Sequence, residues 1–96
     1  MGNQTDENLD LFFKAVLNLK DEAECREFFE DICTVTELKA ISQRMMVAKM
    51  LNEKCVYSDI VKATGASTAT VSRVNRSLQY GNSSYKKLLQ RIDGNE

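Results

Sequence analysis

The sequence predicts an all-α fold of about six helices, and three observations predict it. None of the 96 residues is proline, the strongest helix breaker. Only four are glycine: Gly2, Gly65, Gly81 and Gly94. Apolar residues recur at the helical spacings i, i+3, i+4 and i+7, without the alternation of a half-buried strand. The length suits one domain, read as residues 8–92 between a flexible N-terminus, 1–7, and a flexible C-terminus, 93–96.

The first helix is expected over about 8–19, with Leu9, Phe12, Phe13, Val16 and Leu17 on one broad stripe. Asp21 can cap a second, over about 22–32, whose stripe is Cys25, Phe28, Phe29 and Ile32. Thr34 and Glu37 have the spacing of a capping box, in which each side chain satisfies the other's backbone N–H. The third helix then runs over about 35–53. Leu38, Ile41, Met45 and Ala48 form its main stripe, and Met46, Val47, Met50 and Leu51 widen it almost all round. A chain this small cannot cover such a helix alone, so a second chain sharing the core is expected. The methionines read as core filler.

A short helix from Tyr57 or Ser58 to about Thr64 is followed by Gly65, Ala66 and Ser67, then by a helix to about Tyr80. This is the layout of a helix-turn-helix over about 57–80. Ile60 and Val61 face the second helix, and Val71 and Val74 pack back on Ile60 and Thr64. Gly65 supplies the positive φ of the turn, and Ser67 caps the second helix. The face left over carries Ser67, Thr68, Ala69, Ser72, Arg73 and Arg76, and Thr70 joins them as a candidate. Small hydroxyls near a helix N-terminus with arginines beyond suit base edges and phosphates. With Ser58 from the first helix, these are the candidate DNA-binding residues. A last helix over about 84–92, capped by Ser83, puts Tyr85, Leu88, Leu89 and Ile92 on one face.

Charge is unevenly placed. The net charge is -1, but residues 1–31 hold nine acids against Lys14, Lys20 and Arg26, whereas residues 32–96 hold ten bases against five acids. A basic C-terminal part can attract a polyanion while the acidic part faces away. Lys86 and Lys87 either touch a DNA backbone or are simply solvated. Histidine is absent, which excludes His-dependent catalysis and His metal sites. No nucleophile–base pair, phosphate-cradling loop or metal spacing is present, so an enzyme is not expected. Cys25, Cys33 and Cys55 form no CxxC pair and read as small apolar thiols of a reducing, cytoplasmic setting. No apolar run approaches a membrane span. The polar, acidic opening is unlike a secretory signal, and Asp6 stands where a myristoylation motif on Gly2 wants Ser or Thr.

The residues of Thr34–Ala40, Gln43–Arg44, Thr64–Arg76 and Leu78–Gly81 resemble the Trp repressor superfamily, most closely the YerC/YecD type of Trp-repressor-related protein. Within the helix-turn-helix, the position of Val61 is usually alanine or another small residue, and here departs from that pattern. The resemblance implies an intertwined homodimer whose recognition helices enter successive major grooves about 34 Å apart. It also implies a ligand site. Arg44 and Arg73 match the two arginines that hold tryptophan in the Trp repressor, and Thr34 and Ser77 match polar positions nearby. Val74 stands where the Trp repressor has glycine close to the ligand, so its branched side chain enters that space. The effector is then L-tryptophan, another small molecule or none, with none favoured. Arg44 can instead pair with an acid across the dimer, and Arg73 can contact DNA. The function implied is a sequence-specific, DNA-binding transcriptional regulator, a repressor among them. The alternative is a helical protein-interaction module that has lost operator binding, with the acidic first helices as its partner surface.

Overall fold

A computed structural model describes residues 4–94. Residues 1–3, Gly2 among them, and 95–96 lie outside the described residues. Six helices are present among those described: α1 (Gln4–Leu17), α2 (Glu22–Ile32), α3 (Val35–Asn52), α4 (Tyr57–Thr64), α5 (Thr68–Tyr80) and α6 (Ser84–Gly94). No strand accompanies them. The chain divides between Leu38 and Lys39 into two compact units.

The N-terminal unit holds α1, α2 and the start of α3. Helix α1 begins at Gln4, inside the segment expected to be flexible, and ends at Leu17 rather than near 19. Asp6 and Glu7 lie in its first turn, where acids complement the helix dipole, and Lys14 lies in its last. Asp21 caps α2, its Oδ1 accepting from the Glu24 N–H at 2.9 Å, while Glu24 Oε1 accepts from the Lys20 N–H. The capping box is formed as expected: the Glu37 N–H donates to Thr34 Oγ1 at 3.0 Å, and the Thr34 N–H donates to Glu37 Oε1 at 2.8 Å. Phe12 stacks on Phe28 with ring centroids 6.1 Å apart and meets Phe29 edge-on at 6.3 Å. Even so, no residue from 5 to 38 is buried. Cys25 and Ile32, expected on the apolar stripe of α2, are exposed. Leu11 and Leu17 are 70% and 84% exposed.

The C-terminal unit holds the core. Val47, Ala48, Ile60, Ala66, Val71, Val74 and Leu89 are buried together, with Met45, Met50, Leu51, Cys55, Val61 and Tyr85 packed around them. Among the described residues no polar side chain is buried. Two stripes depart from expectation. On α3 the buried residues are Val47 and Ala48, whereas Ile41 and Met46 are exposed. A helix apolar on nearly every side gives no single stripe to read, and one chain covers only one side of it. On α6 Leu89 is buried, but Leu88 and Ile92 are exposed. Ser83 does not cap α6 through its side chain. It has φ 67, and its backbone carbonyl accepts from the Lys87 N–H.

The turn between α4 and α5 has the anticipated conformation. Gly65 has φ 76, and its N–H donates to the Val61 carbonyl. A Cβ there would have room, its nearest neighbour being Gln43 Nε2 at 3.9 Å. The need for glycine is therefore conformational. Gly65→Ala is expected to cost about 1 kcal/mol, the strain of an L-residue in the left-handed region, and to lower the melting temperature by several degrees. An unchanged thermal melt would show that the turn relaxes. Gly81, which ends α5, is required for a different reason, because a Cβ would stand 2.5 Å from the Ser77 carbonyl oxygen.

Candidate nucleic-acid interface

Helix α5 is built as a rigid rod with one buried side. Val71, Val74 and Leu78, spaced three and then four apart, are 0%, 1% and 8% exposed. Its N-cap is Ser67, whose Oγ accepts from the Thr70 N–H and donates to Thr70 Oγ1, both at 3.1 Å. At the other end, the Gly81 N–H donates to the Ser77 carbonyl. The rod is also tied to its base. Gln43 Nε2 donates to the Thr64 carbonyl at 3.1 Å, and the Ala66 N–H donates to Thr64 Oγ1, which itself donates to the Ile60 carbonyl. Sequence reasoning gave Gln43 no role. Its signal was an amide set within the apolar α3.

Thr68, Ala69, Ser72, Arg73 and Arg76 are all exposed. Helical spacing puts Ala69 and Arg76 on the midline opposite the buried valines, with Ser72 and Arg73 beside them. Tyr80, 81% exposed, continues that face at its C-terminal end and was not anticipated. Thr70 is half-buried, and its hydroxyl is engaged by Ser67. No acidic residue occurs on α5. Neither ion pair seen between described side chains, Glu22–Arg26 and Lys49–Glu53, involves it. In those pairs the hydrogen bond and then the charge of the glutamate hold Arg26 and Lys49 above their ordinary pKa values. Arg73 and Arg76 thus present unpaired guanidinium groups among the described residues.

Ser58 is exposed near the start of α4. The N-cap of that helix is Val56, which makes no side-chain cap bond. First-turn amides without such a cap are donors suited to a phosphate oxygen.

The four residues matched to a ligand site are placed unevenly. Thr34 lies in the N-terminal unit, and its hydroxyl is used by the capping box. Arg44, Arg73 and Ser77 lie in the C-terminal unit. Arg44 is half-buried, whereas Arg73 and Ser77 are exposed. Val74 projects into the core. Among the described residues no cluster of metal-ligating side chains occurs, and no helix is long and apolar enough to cross a membrane.

Comparison with known proteins places this arrangement. The family model described as Trp repressor protein matches residues 7–93. The chain is 49% identical over 88 residues to the uncharacterized protein YerC of Bacillus subtilis, covering 92% of this chain and 85% of YerC. Among crystal structures, a TrpR-like protein from Eubacterium eligens superposes with a TM-score of 0.84 at 53% identity, covering 95% of this chain and 91% of that one. A candidate Trp repressor from Staphylococcus aureus superposes with a TM-score of 0.86 at 45% identity, covering 96% of each chain.

Proposed function

The chain belongs to the Trp repressor family, and from that premise we propose that it is a cytoplasmic, sequence-specific DNA-binding regulator acting as a homodimer. One observation carries the reading. Helix α5 is capped, anchored by Val71 and Val74, and turned so that small residues and unpaired arginines face outward, with Tyr80 at the C-terminal end of that face. Helix-turn-helix proteins, the Trp repressor among them, set such a helix in the major groove with its N-terminal residues against base edges. Ser58 and the amides at the start of α4 serve as phosphate contacts. The second copy covers the apolar residues that one chain leaves bare.

The regulator works without tryptophan. Val74 is 1% exposed within the core, at the position where the Trp repressor keeps a glycine beside its ligand. Packing, rather than a bound effector, orients the recognition helix. Arg44, half-buried, is left to meet an acid of the second copy, and Arg73 is left for DNA. A ligand site built on Arg44, Arg73 and Ser77 of the C-terminal unit is the second reading. It is favoured only by Arg44, which is half-buried and has no ion-pair partner among the described residues.

Selection of the purified protein against a random DNA pool, with and without L-tryptophan, tests both. The expected result is a palindrome with half-sites about one helical turn apart, enriched equally in either condition. Its affinity should fall steeply between about 50 mM and 200 mM salt as released counterions are replaced. A tryptophan-dependent motif would restore the ligand site. Folded protein that enriches nothing would leave the protein-interaction module as the function.

A further inference from the structure

The hydroxyls on and beside α5 are not equivalent. Ser67 Oγ and Thr70 Oγ1 bond to each other, and Ser67 Oγ also takes the Thr70 N–H. Thr64 Oγ1 is spent on the Ile60 carbonyl and the Ala66 N–H. Thr68 and Ser72 have exposed hydroxyls with no intramolecular partner among the described residues. Between them stands the bare methyl group of Ala69. The outward face before Arg73, formed by Thr68, Ala69 and Ser72, therefore consists of methyls and two free hydroxyls, which lets the start of the helix approach a groove floor closely. Arg73 lies one turn, about 6 Å, beyond Ala69 on the same side. Arg76 lies about 10 Å beyond it.

Resting on the reading of α5 as a recognition helix, we propose a division of labour that specifies the half-site. Ala69 and the Thr68 methyl pack against thymine methyl groups, and Arg73 holds a neighbouring guanine through O6 and N7. Arg76 is set back to the phosphates, and Ser67 and Thr70 shape the helix without reading bases. The chemistry follows from the groove. The thymine C5 methyl is the one apolar feature of the major-groove edges, and a guanidinium is the natural bidentate partner of guanine. A contact that positions without reading lowers affinity evenly across sequences.

The test begins with the site that the wild-type protein selects. Within it, each thymine is replaced in turn by uracil, which removes only the methyl group. Arg73→Ala, Arg76→Ala, Ala69→Ser and Thr70→Val are then compared by selection from the same pool, each after circular dichroism confirms that it is helical. Expected are a loss of about fourfold for each contacted methyl, the burial value of one such group, and, in Ala69→Ser, disappearance of that loss at the thymine facing residue 69. Arg73→Ala should relax preference at one guanine. Arg76→Ala should weaken all sequences alike and lower the salt slope, and Thr70→Val should leave the motif unchanged. A selected motif indifferent to uracil, or altered at a base by Thr70→Val, overturns the assignment while DNA binding itself stands. If the wild-type protein selects no motif, the underlying reading fails and the assignment with it.

Discussion

Replacing Arg73 and Arg76 together by alanine is expected to lower affinity for the selected DNA by about 10³-fold or more, with the melting temperature nearly unchanged. The size follows from symmetry. Each guanidinium contact with a base or phosphate contributes on the order of 1 kcal/mol or more, and a homodimer carries every substitution twice. Four lost contacts thus exceed about 4 kcal/mol, or roughly a thousandfold. The fold should not notice. Both residues are exposed, neither has an ion-pair partner among the described residues, and alanine is at least as good a helix former as arginine. Titration by fluorescence anisotropy beside a thermal melt checks both halves. Retained affinity in the double variant would move DNA binding off α5. A collapsed melt would mean that the arginines are structural.

Dilution should also destabilise the protein. The melting temperature is expected to fall by about 7 °C between about 100 μM and about 1 μM. The reason lies in the N-terminal unit, where residues 5–38 include no buried residue while Leu11, Leu17 and Val35 are 70%, 84% and 79% exposed. An α-hairpin held by four phenylalanine rings without a buried centre gains too little apolar burial to offset its chain entropy. It is held if a second copy covers it, which makes unfolding a dissociation. A hundredfold dilution then removes about 2.7 kcal/mol from the dimer. Spread over the unfolding entropy of two chains, about 0.4 kcal/mol per kelvin, this gives the stated shift. A melt independent of concentration, or a monomer by analytical ultracentrifugation, would remove the homodimer from the proposal. Phe13→Asp, placed on that bare hairpin, should shift the equilibrium toward monomer.

What could be read from the sequence was mostly local. The Thr34–Glu37 box, the Asp21 and Ser67 caps and the positive φ of Gly65 each depend on residues within four positions of one another, and each is formed. The site's framework was legible for the same reason: Ile60, Val71 and Val74 are buried as their spacing implied. Two kinds of feature were not legible. The start of α1 was hidden because Asp6 and Glu7 look like a polar tail until their favourable place in a first helical turn is weighed. The buried sides of α3 and α6 were hidden because their apolar surfaces exceed what one chain covers. Spacing alone could not say that Val47 is enclosed while Met46, Leu88 and Ile92 are bare. Gln43 was missed because its partner is a backbone carbonyl 21 residues away.

The bare hairpin has a bearing on how much of the protein a cell holds. A newly made chain that has not yet met another displays Leu11, Leu17 and Val35 in the manner of the incompletely folded surfaces that chaperones and proteases survey. If the chain works as the proposed homodimer, single copies would be cleared and pairs spared, and the standing pool would be the paired one. By mass action the concentration of pairs grows with the square of the free-chain concentration while chains are scarce. Under that proposal, halving synthesis would remove more than half of the pairs, and occupancy of a promoter would respond to expression with a threshold.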